Sequence, residues 1–502
     1  MENKQRKSWI NWTIFLITVV VVFVLGMLAT TITERRIERE YVYEPRVQIA
    51  EWEPRNEVWG ENFPAQYQSH QETSDTGFHS KYNGNAMIDM LVENPRMVVL
   101  WAGYAFSKEY NQGRGHYYAI KDLRHILRTG APEIEEPEPM PATCWTCKSS
   151  DVPRLMNEVG ITEFYRGKWS RWGEEVVNSV GCADCHDHET MDLRISRPAL
   201  IEAFENRGMD ITQATHQEMR SLVCAQCHVE YYFNNNLPGK EGVAYLKFPW
   251  DKGLEVEQVL EYYDEIEFSD WTHQLSRAPM LKAQHPGYET WYSGTHAERG
   301  VTCADCHMPY MSEGGQKYSD HHMQSPLNNV SNSCQVCHNE SEEDLIRWVY
   351  DKQTKVNQQR DELEKVLVRA HVEAKHAWDH GATQSQMQDV LHLIRHAQFR
   401  WDYATQAHGA SFHNSLESLR MISAGIERAQ EARIKLTRII SELGAGYPVP
   451  YPDISTKPRA QEYIGLPMEQ LRRNKKLFLE EIVPQWIRAA QEREEQWEVV
   501  YY

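Results

Sequence analysis

The ten cysteines of this 502-residue chain fall into five Cys-x-x-Cys pairs. Four are followed by histidine: Cys182-Ala-Asp-Cys185-His186, Cys224-Ala-Gln-Cys227-His228, Cys303-Ala-Asp-Cys306-His307 and Cys334-Gln-Val-Cys337-His338. In such a segment both thiols add to the vinyl groups of a haem and the adjacent imidazole ligates its iron. Four c-type haems are therefore expected, with His186, His228, His307 and His338 as proximal ligands. The fifth pair reads Cys144-Trp145-Thr146-Cys147-Lys148. A lysine amine binds iron only as the free base, although its unperturbed pKa is about 10.4. That is an unfavourable ligand for a simple electron relay, so the Lys148 haem is expected to do chemistry and the other four to feed it electrons.

Zinc is the competing reading, since two Cys-x-x-Cys knuckles often share one tetrahedral ion. Five pairs do not divide two by two, and four carry histidine at the next position. No cysteine is left over for a disulfide. A relay haem also needs a second axial ligand. With 22 histidines in the chain, supply alone does not identify these ligands, and a lone histidine is more often a surface or packing residue.

The ordered C-x-x-C-K and four C-x-x-C-H motifs occur with Leu127-Arg128-Thr129-Gly130-Ala131-Pro132, Cys227-His228-Val229-Glu230-Tyr231-Tyr232 and Leu281-Lys282-Ala283-Gln284-His285-Pro286. Together they resemble the ammonia-forming cytochrome c nitrite reductases over roughly residues 50–440. The resemblance implies six-electron reduction of nitrite to ammonium, with five covalent haem c groups and one calcium ion as cofactors. It makes Lys148 the proximal ligand of the active haem and places Arg128, Tyr231 and His285 on the open face. Nitrite is an anion, which a guanidinium suits; His285 and Tyr231 are hydrogen-bond and proton donors. Read without the resemblance, Arg128 is equally a helix C-terminal charge before Gly130, Tyr231 a haem-packing ring and His285 a relay ligand.

The resemblance also implies calcium ligands at the Glu230 carboxylate, the Gln284 side-chain oxygen and the carbonyls of Tyr231 and Lys282, all oxygen donors as a hard cation prefers. It points to His116 as distal ligand of the His228 haem, His321 (or its neighbour His322) for His186, His296 for His338, and His413 (or His408) for His307. Other readings are an electron-transfer cytochrome without turnover, or a related enzyme of sulfite or hydroxylamine.

These residues must be held by some scaffold. From about residue 40 to 340 the chain is rich in Trp, Tyr, Pro and Gly with only short periodic stretches, so haems rather than sheets are expected to organise a body of loops and short helices. Roughly 341–377, 384–407 and 414–442 have helical spacing, punctuated by Gly381, Gly409 and Gly444. The expected fold is mostly α: a multihaem cytochrome c body with little sheet, then long C-terminal helices. After Pro448, Pro450 and Pro452, one helix is expected from about Met468 to Glu494.

The resulting segments are 1–33, an anchor or signal; 34–340, the pentahaem region; 341–445, long helices; and 446–502, a tail packed on the same body. Exposed amphipathic helices either cover the body or form a dimer interface, and the resemblance implies a homodimer. At the N-terminus, Lys4, Arg6 and Lys7 precede an apolar run from roughly Ile14 to Ala29, followed by Glu34, Arg35 and Arg36. This predicts export with the body on the periplasmic side of the cytoplasmic membrane. The run borders on a bilayer span and no A-x-A site follows it, which favours an uncleaved anchor over a cleaved signal. The resemblance implies an electron donor that is either a membrane-anchored multihaem quinol dehydrogenase or a soluble multihaem cytochrome, and an anchor favours the first.

The net charge of -19 excludes a nucleic-acid partner, which wants a basic face. It suits steering of a basic redox partner and would repel an anionic substrate unless a local basic channel exists. A mean hydropathy of -0.64 fits a body whose apolar volume is partly haem.

Overall fold

The computed structural model describes residues 2–39, 45–135, 137–313 and 316–502. The side chains of Lys4, Arg6, Lys7, Glu34, Arg35 and Arg36, which flank the apolar run, lie outside the described residues. The run sits in a helix over Glu2–Arg39. Its span-competent part, Trp9–Thr33, is 25 residues long with mean hydropathy 2.7 and no burial against the body. It exceeds the Ile14–Ala29 expectation at both ends, and its C-terminal threonines satisfy themselves. The hydroxyls of Thr30, Thr31 and Thr33 donate to the carbonyls of Gly26, Met27 and Ala29 at 2.9, 3.0 and 2.8 Å, so they present no unpaired donor to an apolar medium. At 1.5 Å per residue the segment is about 37 Å long, more than the roughly 30 Å of bilayer hydrocarbon.

Helix makes up 57% of the structure and strand 7%, the mostly α composition expected. The strands among the described residues form four two-stranded ribbons. One of them, Val47–Gln48 against Val500–Tyr501, ties the start of the body to the end of the chain.

Three long helices follow the haem motifs. Glu342–Asp379 starts where Ser341 accepts from the Asp344 N–H at 3.2 Å, with Glu342, Glu343 and Asp344 in its first turn; both features favour a helix N-terminus. Gln384–Gln406 opens with a Thr383/Gln386 capping box, and Ser415–Glu442 with Asn414 accepting from Glu417 N–H at 3.1 Å. Gly381 and Gly444 take positive φ at +91° and +66°, the backbone that glycine adopts without strain. Gly425 lets the first and third helices approach closely, since a Cβ there would lie 2.8 Å from Leu363 Cδ2. The apolar faces of all three helices share one core with Val98, Trp101, Val259, Tyr263 and Met280. A second core, around Trp145, Trp169, Trp250, Phe478 and Trp486, surrounds the Cys144 segment.

The tail departs from the single helix expected. A short helix over Lys457–Tyr463 precedes it, and the stretch from Met468 to Glu494 is an α-helix to Leu477, a π-turn over Phe478–Ile482 and a second α-helix from Val483. Pro484 explains the break. Its ring excludes the carbonyl four residues back and it donates no N–H, and one wide turn accommodates both. The turn also sets Phe478 and Trp486 edge to face, centroids 5.3 Å apart, inside the second core.

Candidate active site

Each Cys-x-x-Cys pair lies on or beside a short helical turn, where positions i and i+3 share a face. Cys182–Cys185 and Cys303–His307 are helical, and the Cys224 pair ends the helix His216–Ala225. A buried polar hub ties three pairs together. The Arg197 guanidinium bonds Asp184 and donates to the carbonyls of Thr146 at 2.6 Å and Ser149 at 2.9 Å. Gln226 accepts from the N–H groups of Ser196 and Arg197 and donates to the Asp184 carbonyl at 2.8 Å. A fourth pair is attached where Arg220 bonds Asp305 at 2.8 Å and Ser221 Oγ accepts from Cys303 N–H at 3.1 Å. Thiols of neighbouring pairs touch, Cys147 with Cys227 and Cys224 with Cys303. All ten cysteines are free of disulfides. Among the described residues none joins a cluster of three metal-ligand atoms, which argues against zinc.

The histidines meet in four facing pairs. Ring centroids of His116 and His228 are 6.3 Å apart, His186 and His321 6.2 Å, His296 and His338 6.4 Å, and His307 and His413 6.2 Å. Two imidazoles bound through nitrogen to opposite sides of one metal, each at about 2 Å, have centroids about 6 Å apart. The Nδ1–H groups of His186, His307 and His321 donate to the carbonyls of Met191, Gln324 and Ser319, each at 2.8 Å, which fixes the tautomer that leaves Nε2 free to ligate. Burial first, and then the facing histidine, pushes the pKa of His413 down to about 3. Burial acts the same way on His116 and His228, to about 3 and about 4, so these rings are neutral, the ligating form. The donor set thus fits haem.

In both register choices the structure favours one histidine. His321 faces His186, whereas His322 turns its Nδ1 to Glu72 at 3.6 Å. His413 faces His307 and packs on Gly409, where a Cβ would lie 2.4 Å from its ring. His408 instead lies near His285, whose pKa its charge depresses.

Around Lys148 the chain gathers Arg128, Tyr231 and His285. Arg128 belongs to the 3-10 turn Leu127–Thr129 before Gly130, whose φ is +74°. Its guanidinium lies 4.5 Å over the Phe106 ring and 5.9 Å from the Tyr110 ring centre, and its Nη1 is buried with no hydrogen-bond partner. Burial raises the Tyr231 pKa well above its usual value, with further contributions from Cys147 and Cys144 that place the phenol beside the Cys-x-x-Cys pair. Burial lowers the His285 pKa well below its ordinary value, with Lys148 the next cause, so His285 is a neutral hydrogen-bond donor until an anion arrives. Sequence reasoning missed the aromatic wall of Tyr104, Phe106 and Tyr110. Tyr110 is fixed by its hydroxyl donating to Gln406, and the only signal was the density of rings between Trp101 and Tyr110. A cavity of about 390 Å³ opens at Leu127, lined by His125, Arg472, Lys475 and Lys476 with Glu109 and Glu480. Its acids offset its bases, with Lys476 Nζ 3.8 Å from Glu480 and burial lowering the Lys475 pKa to about 7, so this cavity alone is not the basic channel that an anionic substrate requires of an acidic protein.

Of the four groups expected to bind calcium, three converge. Glu230 is fully buried, its Oε2 accepting from Gln284 N–H at 2.6 Å and its Oε1 from Tyr263 OH at 2.9 Å. The Gln284 amide is 3.2 Å from the Lys282 carbonyl, and Tyr231 follows Glu230 in the chain. Burial raises the Glu230 pKa well above the carboxylate range. Nearby acids respond likewise to burial, Asp270 moving to about 7 and Glu289 to about 8, while Glu289 Oε2 has no partner. The Lys282 amine is committed to Asp402 at 3.0 Å. A buried acid cluster with one committed lysine fits a divalent cation.

A family model described as cytochrome c552 matches residues 55–496. A protein named cytochrome c-552 from Porphyromonas gingivalis is 55% identical over 494 residues, covering 98% of both chains. Another of that name, from Parabacteroides distasonis, is 56% identical over 491 residues with the same coverage. Among solved structures, the catalytic subunit of cytochrome c nitrite reductase from Desulfovibrio desulfuricans, described with two calcium sites, matches with a TM-score of 0.74 and 29% identity. The match covers 88% of this chain and 96% of that one.

Proposed function

The chain belongs to the cytochrome c552 family, and from that premise we propose that it reduces nitrite to ammonium at a Lys148-ligated c-type haem fed by four bis-histidine haems. The observation that carries this reading is Arg128: a half-buried side chain whose charge acts on Cys144 and whose Nη1 is buried and unpartnered. Nitrogen passes from +3 to -3, so one nitrite takes up six electrons and eight protons and leaves as ammonium and two waters. The five haems supply iron to hold the nitrogen and a store of electrons close at hand. Lys148 would supply the amine ligand to the iron of the active haem. Arg128 offers charge and N–H donors to the anion, and the Phe106 face beneath it keeps water from competing. His285 and Tyr231 donate hydrogen bonds to the departing oxygens and pass protons to them. Glu230, Gln284 and the carbonyls of Tyr231 and Lys282 would hold a calcium ion, which would brace the two segments that present these donors.

We assign the distal ligands to His116, His296, His321 and His413, and the working form to a homodimer joined through the long helices. The Trp9–Thr33 helix supports an anchored enzyme that takes electrons from a membrane-bound multihaem quinol dehydrogenase, with its body in the periplasm. The test supplies dye-reduced protein with nitrite and assays ammonium. Ammonium equal to nitrite consumed, at six electrons each, is expected. Oxidation of the haems by a partner cytochrome without ammonium would instead make the protein an electron carrier.

A further inference from the structure

A second set of ligands lies away from the haem motifs. Asp264 ends the helix Val256–Glu265, and His392 and His396 stand one turn apart on Gln384–Gln406. One nitrogen from each imidazole and one carboxylate oxygen all lie within 4.8 Å of one another, the one such group of three among the described residues. We propose that Asp264, His392 and His396 bind a divalent transition-metal ion of the zinc, copper or nickel class, with water completing the coordination.

The geometry supports this at each ligand. The two imidazoles are adjacent, centroids 4.1 Å apart at 41°, as histidines at i and i+4 on one helix face must be to share a metal. His396 Nε2 is 2.6 Å from Asp264 Oδ2. Donors about 2.0–2.1 Å from a tetrahedral ion are about 3.3 Å apart, so this pair opens by under an ångström to admit the ion. Arg395 steadies the carboxylate from behind. Its Nε donates to Asp264 Oδ1 at 3.0 Å, and its other nitrogens donate to the carbonyls of Pro279 and Phe268 at 3.0 and 2.8 Å. Oδ2 is thereby aimed at the histidines, as outer partners aim metal ligands. His392 is exposed, so an ion reaches the site from solvent.

Two imidazoles and one carboxylate favour borderline ions over calcium or magnesium, which prefer all-oxygen sites. A metal at His396 Nε2 takes the place of any proton on that nitrogen, which moves to Nδ1 or to solvent. Arg395 and Arg428, whose charges act on His392, oppose a cation and set the site below a three-histidine centre in affinity.

The same chain contains an internal contrast. His376 and His380 have the same spacing and a 4.1 Å centroid separation, but the adjacent Asp379 is held by Lys375 and no third ligand joins them. Occupancy at Asp264 would also reach the active-site scaffold. Tyr263, the next residue, holds Glu230, and Asp402, on the His396 helix, holds Lys282 and the Ala283 N–H. An ion there ties together two helices that brace the proposed calcium position.

The experiment is zinc titration of chelator-treated holoenzyme by calorimetry, with thermal unfolding as a second readout. Three variants are compared with the parent: His392→Gln, Asp264→Asn and His380→Gln. The proposal expects one zinc equivalent that raises the unfolding temperature. His392→Gln and Asp264→Asn each weaken binding tenfold or more and lose the thermal shift, while His380→Gln retains both. Because His392 is exposed, its replacement leaves the fold intact. Unchanged zinc affinity and thermal shift in His392→Gln, or a parent protein that takes up no zinc, overturns the assignment.

Discussion

Arg128 is held by aromatic faces rather than by an acid. Among the described residues it makes no ion pair, and its charge rests over Phe106 and near Tyr110. Its Nη1 has lost water without gaining a partner, so an incoming oxyanion is favoured at that nitrogen. Arg128→Ala should retain all five haems and lower kcat/KM for nitrite by about a hundredfold or more, the usual effect of removing one well-placed donor. Arg128→Lys should recover little, because an ammonium neither stacks on Phe106 nor forks onto an oxyanion. Steady-state nitrite kinetics with a haem count check both; near-normal kinetics in Arg128→Ala would remove its role. At this scale the sequence was legible where spacing carries chemistry. The five Cys-x-x-Cys pairs are readable because covalent haem attachment demands them. The choice between His413 and His408 was not readable, since both follow the same helix and only tertiary placement separates them, His413 facing His307 and packing on Gly409 while His408 lies near His285.

Among elements, two buried polar junctions join the segments around the site. At the first, Arg197 pairs with Asp184 and spans the Cys144 and Cys182 segments. Arg197→Ala leaves Asp184 buried without a counter-charge, which should cost about 3–5 kcal/mol; a denaturant midpoint on the fully haem-loaded protein measures it. At the second, His371 links the first two long helices to the segment before Trp101. Gln398 donates through Nε2 to the Leu100 carbonyl, so its Oε1 accepts from His371 Nε2–H, and Ser276 Oγ donates to His371 Nδ1. The His273 ring stacks on it at 3.7 Å.

Burial lowers the His371 pKa from 6.5 to about 4. Between those values the unfolded chain binds the proton and the folded one does not, so this group's contribution is complete above pH 6.5 and is lost as pH falls to about 4. The loss amounts to at most about 3 kcal/mol. Comparing the stability of His371→Asn with the parent at about pH 7 and about pH 4.5 should show a shallower acid loss in the variant; parallel curves would contradict it. The long helices were legible because their apolar period runs for many turns. The π-turn at Phe478 and the Val47–Gln48 ribbon were not. The first arises from a proline acting on the preceding turn, and the second is two residues of backbone pairing with no side-chain pattern.

On the scale of the whole molecule, one exposed apolar helix, long enough to cross a bilayer, stands apart from the body that holds the site. Trp9–Thr33 contributes nothing to either haem-bearing core. Removing residues 1–33 should therefore release the enzyme from membranes into the soluble fraction after ultracentrifugation, with dye-driven nitrite reduction within about twofold of the full chain. Loss of haem or activity on truncation would show that the helix supports the body. The global architecture was legible from composition, because few periodic strands and five haem motifs leave little else to form a core. The packing of those motifs around Arg197 was not, since buried polar hubs follow from tertiary contacts alone.

The most direct test of the central claim is electron paramagnetic resonance of the oxidised holoenzyme before and after nitrite is added. The four facing histidine pairs and the proposed open site at Lys148 predict four low-spin haems and one high-spin signal, with nitrite perturbing only the latter. Five low-spin haems indifferent to nitrite would contradict an open catalytic site at Lys148.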